Sequence, residues 1–190
     1  PNAGNADTVW DELNKRAESF DVTLKNESRD VAMIAVQGPK AAEILVPLVE
    51  DNKQDEVYNL GYYAATMGKV ARTFAIIART GYTGEDGFEL FLPAASTAEA
   101  GDRGSAVWNT MLSAADEAGV ELTLCGLASR DSLRLEAGMP LYGNELDTGH
   151  QPHASGVGFA VPASKEADFV GRSALVGKDD VEEVVVGLQG

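Results

Sequence analysis

Apolar residues recur at helical spacing near the start of the chain. Trp10, Leu13, Ala17 and Phe20 fall on one stripe, and Thr8 or Asp7 stands where a helix cap belongs. Residues 21–24 and 31–36 read as strands on either side of a polar turn at residues 26–29. Gly38-Pro39 opens a second helix with Ala42, Leu45 and Leu48 facing inward, and Pro47 ends or kinks it. Residues 54–61 read as a loop or short helix, and residues 70–78 and 88–92 as paired strands around a glycine-rich turn. A third helix is expected over residues 105–118, with Val107, Trp108, Met111, Leu112 and Ala115 as its apolar stripe and Gly119 as its stop. The small, polar residues 94–104 read as a surface insertion or a loosely formed helix. Further on, strands are expected at 120–124, 157–161 and 184–188, and helices at 126–137 and 171–176. This alternation, with hairpin-like turns, predicts an α+β fold of antiparallel sheet flanked by helices.

The turn itself carries the densest chemistry: Thr80-Gly81-Tyr82-Thr83-Gly84-Glu85-Asp86-Gly87-Phe88-Glu89-Leu90. Three glycines at three-residue spacing permit a sharply folded connection. A phosphate loop is excluded, because Glu85 and Asp86 would repel an anion and no Lys-Ser/Thr pair follows. Strand alternation puts Glu89 on the opposite face from Phe88, Leu90 and Leu92.

Charge narrows the partners. Fifteen basic against 30 acidic residues leave a formal charge of -15, the wrong sign for nucleic acid or an anionic membrane. No apolar run reaches the length needed to span a bilayer. The single cysteine, Cys125, excludes an internal disulfide framework and suits a reducing, cytoplasmic setting. It stands before a glycine with no nearby His and reads as a buried, inert thiol. His150 and His153 share a loop without a clustered third ligand, so no metal site is expected.

A second long motif runs from Cys125-Gly126-Leu127-Ala128-Ser129-Arg130-Asp131-Ser132-Leu133-Arg134-Leu135-Glu136 through Ala137-Gly138-Met139-Pro140-Leu141-Tyr142-Gly143-Asn144-Glu145. Together with the glycine turn, the block Val31-Ala32-Met33-Ile34-Ala35-Val36-Gln37-Gly38-Pro39 and the opening Asn2-Ala3-Gly4-Asn5, it resembles the T-protein (aminomethyltransferase) family of the glycine cleavage system. The four blocks come in the family's order and at similar spacing. The resemblance implies a longer parent, of which this chain is a middle section. Its folate-binding core would cover residues 1–176, with residues 177–190 leading as a linker or strand toward a further domain. It also implies tetrahydrofolate as the acceptor of a one-carbon unit and a lipoylated carrier protein as the donor partner.

By the same resemblance, Glu89 and Arg130 match the carboxylate and guanidinium that contact the pterin ring. The chemistry suits them: a pterin presents adjacent N–H donors that a carboxylate accepts as a pair, and its carbonyl can accept from a guanidinium. Tyr82, beside the turn, is placed to stack on or hydrogen-bond the folate, or else to pack over the hairpin. Asp131, Arg134 and Glu136 read as a helix-surface or structural network, and Tyr142-Gly143-Asn144-Glu145 as a loop that shapes the cavity. The chain departs from the family at one point. An Asp is expected four residues after the Asn-Ala-x-x block, and that position here is Val9, flanked by Asp7 and Asp11 on other sides of the helix. The folate domain of a sarcosine- or dimethylglycine-oxidising enzyme therefore stays open as an alternative. A non-catalytic folate-binding relative is a further one, although the Lys-Gly-Cys-Tyr-x-Gly-Gln signature of such proteins is missing from the turn.

Overall fold

A computed structural model describes residues 2–178, 181 and 183–187, and divides the chain into two compact units, residues 1–133 and residues 134–190. The first unit is built on four antiparallel strands: β1 (Val31–Gln37), β2 (Ala65–Val70), β3 (Thr73–Ala78) and β4 (Gly87–Pro93), in the spatial order β1-β4-β3-β2. Helices α1 (Ala6–Ala17), α2 (Ala41–Leu45), α3 (Gln54–Tyr58) and α4 (Thr97–Ala118) accompany it, and α5 (Leu127–Glu136) starts at its end. The expected α+β class, an antiparallel sheet with flanking helices, holds.

Alternation decides which face is covered. Ile34 and Val36 of β1, Ala75 and Ile77 of β3, Val70 of β2 and the fully buried Phe88, Leu90 and Leu92 of β4 point into one core. Ile44 and Leu45 of α2, Val57 of α3 and Val107, Met111 and Ala115 of α4 pack against them. Truncating one of those leucines to Ala would cost about 2–5 kcal/mol, the usual range for a core methyl cluster. The opposite face is open. There Met33, Phe91, Ile76 and Met67 line up across all four strands in register, and the next row is Ala35, Glu89, Ala78 and Ala65.

Several elements differ from the sequence reading. Residues 70–78 are not one strand but a hairpin: Ala71 and Arg72 both take positive φ, 47° and 68°, and turn β2 into β3. α4 begins eight residues early, because Ser96 accepts from the Glu99 amide at 3.3 Å while the Glu99 carboxylate accepts from the Ala95 amide at 2.8 Å. This reciprocal cap makes a firm helix start of what reads as loose surface chain. Gly119, at φ 66°, ends it as expected. Residues 21–24 and 120–124 form no strand, since no neighbour pairs with them, and residues 158–160 form a 3-10 turn instead of a strand. The first helix is capped neither by Asp7 nor by Thr8; it starts from Asn5, and none of its side chains is buried. Of the expected strand at 184–188, residues 184–187 are unpaired in any sheet and Leu188 lies outside the described residues.

In the second unit, α6 (Arg172–Leu175) matches the short helix expected at 171–176. Its buried centre is Arg134, 2% exposed, whose Nη1 donates to the Glu145 carboxylate and to the Met139 carbonyl at 3.0 Å. The Glu145 carboxylate also accepts from the Leu141 amide at 3.0 Å, and that bond, reinforced by Arg134, holds its pKa below the usual carboxylate value. Arg134 is thus a buried staple of the 139–145 loop, more enclosed than a helix-surface network.

Candidate functional site

A cavity of about 610 Å³ opens in the first unit, bounded by β1, the 82–85 turn, α4 and residues 122–127. Glu89, Tyr82 and Arg130 all line it. They reach it by different routes. Glu89 projects from the open face of β4, between Ala35 of β1 and Ala78 of β3, so only methyl groups stand on either side. Tyr82 is carried by the glycine turn, and Arg130 by the start of α5.

Their local partners differ too. The Thr80 hydroxyl donates to Glu89 Oε2, which fixes one carboxylate oxygen against the turn. The Arg130 guanidinium stacks over the Tyr82 ring at 4.9 Å. Such a contact is worth about 0.5–1 kcal/mol at an exposed site. Among the described residues no ion pair joins Glu89 to Arg130. The carboxylate and the guanidinium–aromatic stack are separate features of one cavity wall.

The turn that carries Tyr82 is braced by charge. Arg79 meets Asp86 through two parallel bonds, Nε to Oδ1 at 2.9 Å and Nη2 to Oδ2 at 2.8 Å. Arg79 Nη1 also donates to the Tyr58 and Leu60 carbonyls, at 2.8 and 2.9 Å. The hydrogen bonds from Arg79 hold the Asp86 carboxyl below its usual pKa and raise that of the guanidinium. A two-point arginine–carboxylate fork fixes geometry as well as energy.

Apolar side chains complete the cavity: Trp108, Met111 and Leu112 from α4, and Leu122, Leu124 and Leu127 beyond it. Trp108 reads in the sequence only as part of a buried helix stripe, yet it is 39% exposed and faces this space. Cys125 also lines the cavity. Its thiol is exposed, contrary to the expected buried cysteine, because residues 123–126 run as exposed chain beyond the core contacts of Val120 and Leu122. Val9 lies on α1 and is not among the lining residues; neither are Asp7 and Asp11. His150 Nδ1 sits 2.8 Å from Asp147 Oδ1, His153 is in the same loop, and no metal-binding cluster of His, Cys, Asp and Glu occurs among the described residues. No helix among them is long and apolar enough to cross a membrane.

Comparison with known proteins gives these residues a context. Residues 1–165 match the family model described as GCVT N-terminal domain. An aminomethyltransferase of Corynebacterium aurimucosum is 60% identical over 190 residues, covering 99% of this chain and 49% of that protein. One from Cutibacterium acnes is 45% identical, covering 100% of this chain and 50% of its own length. The chain therefore spans about half the length of these curated relatives. Among solved structures, the glycine cleavage system aminomethyltransferase T of Bartonella henselae superposes with a TM-score of 0.59 at 33% identity, over 85% of this chain and 38% of that one. With the four-stranded sheet, the glycine turn and the Arg130 helix all inside the matched span, the chain belongs to the GCVT N-terminal domain family.

Proposed function

We propose that this chain is the folate-holding part of an aminomethyltransferase of the glycine cleavage system. The parent enzyme takes an aminomethyl group carried as a thioether on the dihydrolipoyl arm of a carrier protein. The carbon–sulfur bond breaks and regenerates the thiol, ammonia leaves, and the one-carbon unit bridges two nitrogens of tetrahydrofolate as methylenetetrahydrofolate. No net oxidation or reduction occurs. The observation that carries this reading is the convergence of Glu89, Tyr82 and Arg130 on one cavity.

The geometry supports a flat, donor-rich ring as ligand. Glu89 stands between Ala35 and Ala78, which leave room for a planar group to lie against the sheet, and its carboxylate can accept a pair of N–H bonds. Arg130 over Tyr82 offers a guanidinium edge beside an aromatic face. On this reading these residues position the folate and exclude water, and the rate gain comes from proximity of the folate nitrogen to the reacting carbon. Val9 supplies no acid, so no proton transfer is assigned to that position. The lipoylated carrier is the macromolecular partner, and the lone unpaired cysteine fits a reducing, cytoplasmic setting.

The full-length parent protein, supplied with aminomethylated carrier and tetrahydrofolate, should release ammonia and form methylenetetrahydrofolate in equal amounts. Ammonia release at the same rate with and without tetrahydrofolate would contradict the assignment.

A further inference from the structure

The last residue of β1, Gln37, has a place that the motif around it does not announce. It pairs in register with Gly87, at the far end of the glycine turn. Its Nε2 donates to the Thr80 carbonyl at 3.1 Å and to the Phe88 carbonyl at 3.2 Å, and its Oε1 accepts from the Thr83 hydroxyl at 3.3 Å. One side-chain amide thus ties together both ends and the middle of the segment 80–88. Both of its N–H bonds are committed to backbone carbonyls, so it has no donor left for a ligand.

The glycines of the turn exist around this amide. A Cβ on Gly81 would lie 1.8 Å from Gln37 Oε1, and one on Gly87 would lie 2.6 Å from its Cδ. The amide is threaded between two stretches of backbone that only glycine lets approach so closely. The network continues outward. Thr80, whose carbonyl Gln37 holds, donates its hydroxyl to Glu89, while Phe88, held by the same nitrogen, directly precedes Glu89. Tyr82 lies between the two gripped threonines.

From this arrangement we infer that Gln37 is a positioning residue. Gln37 itself lines the cavity, and with both N–H donors committed it fixes the Glu89 carboxylate and the Tyr82 ring through the backbone of the turn. The inference rests on the folate reading above and assigns a role to a residue outside the ligand contacts proposed there. Loss of the amide should loosen the turn and lower affinity in protein that is otherwise folded, because the core face of β4 is held independently by Phe88, Leu90 and Leu92.

The test is a double-mutant cycle in the full-length parent protein, read by calorimetric titration with tetrahydrofolate, with circular dichroism to confirm folding. Gln37→Glu swaps the donating nitrogen for an oxygen that faces two carbonyls, and Gln37→Met removes every bond at similar volume. Each should raise the tetrahydrofolate Kd about tenfold, and Gln37→Met should cost clearly less than that in a Glu89→Gln background, where only its hold on Tyr82 is left to lose. Thr83→Ala, which strips the bond to Oε1 and a long one accepted from the Glu85 amide, should raise Kd about threefold and keeps the test open if both swaps unfold. Wild-type affinity in the Gln37 variants, or losses that add to that of Glu89→Gln, would overturn the positioning role while leaving the folate site intact. Wild-type affinity in Glu89→Gln itself would overturn the folate reading and this role with it.

Discussion

Asp86 is where a single residue translates pH into stability. Its carboxylate accepts two bonds from Arg79, and those bonds depress its pKa in the folded chain below the ordinary 3.8. A depressed acid stabilises the fold above its unfolded pKa, and that contribution fades as pH falls through the folded value. Asp86 is 39% exposed, so after allowance for solvent screening the pair is worth about 0.5–1 kcal/mol. Urea denaturation should therefore find Asp86→Asn less stable than wild type by that amount at neutral pH, with the gap closing as pH falls below the ordinary aspartate value. A gap of the same size at both ends of the range would exclude the pair as its origin. At this scale much of the site is legible in sequence. Glu89, Tyr82 and Arg130 stand inside motifs whose resemblance to the family marks them as candidate ligand contacts, and all three line one cavity. Gln37 is not legible, because its role arises only where β1 meets β4 and brings position 37 beneath positions 81 and 87. Cys125 misleads for a related reason: burial depends on a covering neighbour, and residues 123–126 run exposed.

Among the elements, the β2–β3 hairpin is the least expected. A two-residue connection with positive φ at both positions normally carries Asn-Gly, since other residues pay about 1 kcal/mol each to enter the left-handed region. Here it carries Ala71-Arg72, which gives no turn signal, so the hairpin hides inside an apparently continuous strand. The exposed Arg72 is the better site to relieve that strain, because Ala71 packs partly against the core. Arg72→Asn should raise stability by about 0.5–1 kcal/mol, read as a higher urea midpoint with unchanged slope. A lower midpoint would show that the turn is set by contacts of the Arg72 side chain instead of by backbone strain. α4 gives the opposite lesson. Its start was legible as Ser96-Thr97-Ala98-Glu99, a capping box, but the small residues that follow mask it. Residues 21–24 and 120–124 have strand composition without strand partners, and composition alone cannot supply a ladder.

For the whole molecule, the fold class and the family follow from order: four motifs in series, then a four-stranded antiparallel sheet whose covered face matches the apolar alternation. The division at residue 133 was not legible, because it falls inside the helix α5, where periodicity runs on unbroken. The open sheet face, with Met33, Phe91, Ile76 and Met67 across it, could not be foreseen from any single strand either; only register brings the four together. One sheet holds Glu89 by its open face while its covered face keeps β4 in place. The most direct measurement is a calorimetric titration of the full-length parent protein with tetrahydrofolate, comparing wild type with Glu89→Ala and Arg130→Ala. Each substitution should weaken binding at least tenfold, about 1.4 kcal/mol, without loss of folded structure. Superimposable titration curves for wild type and both variants would contradict the placement of the folate in this cavity.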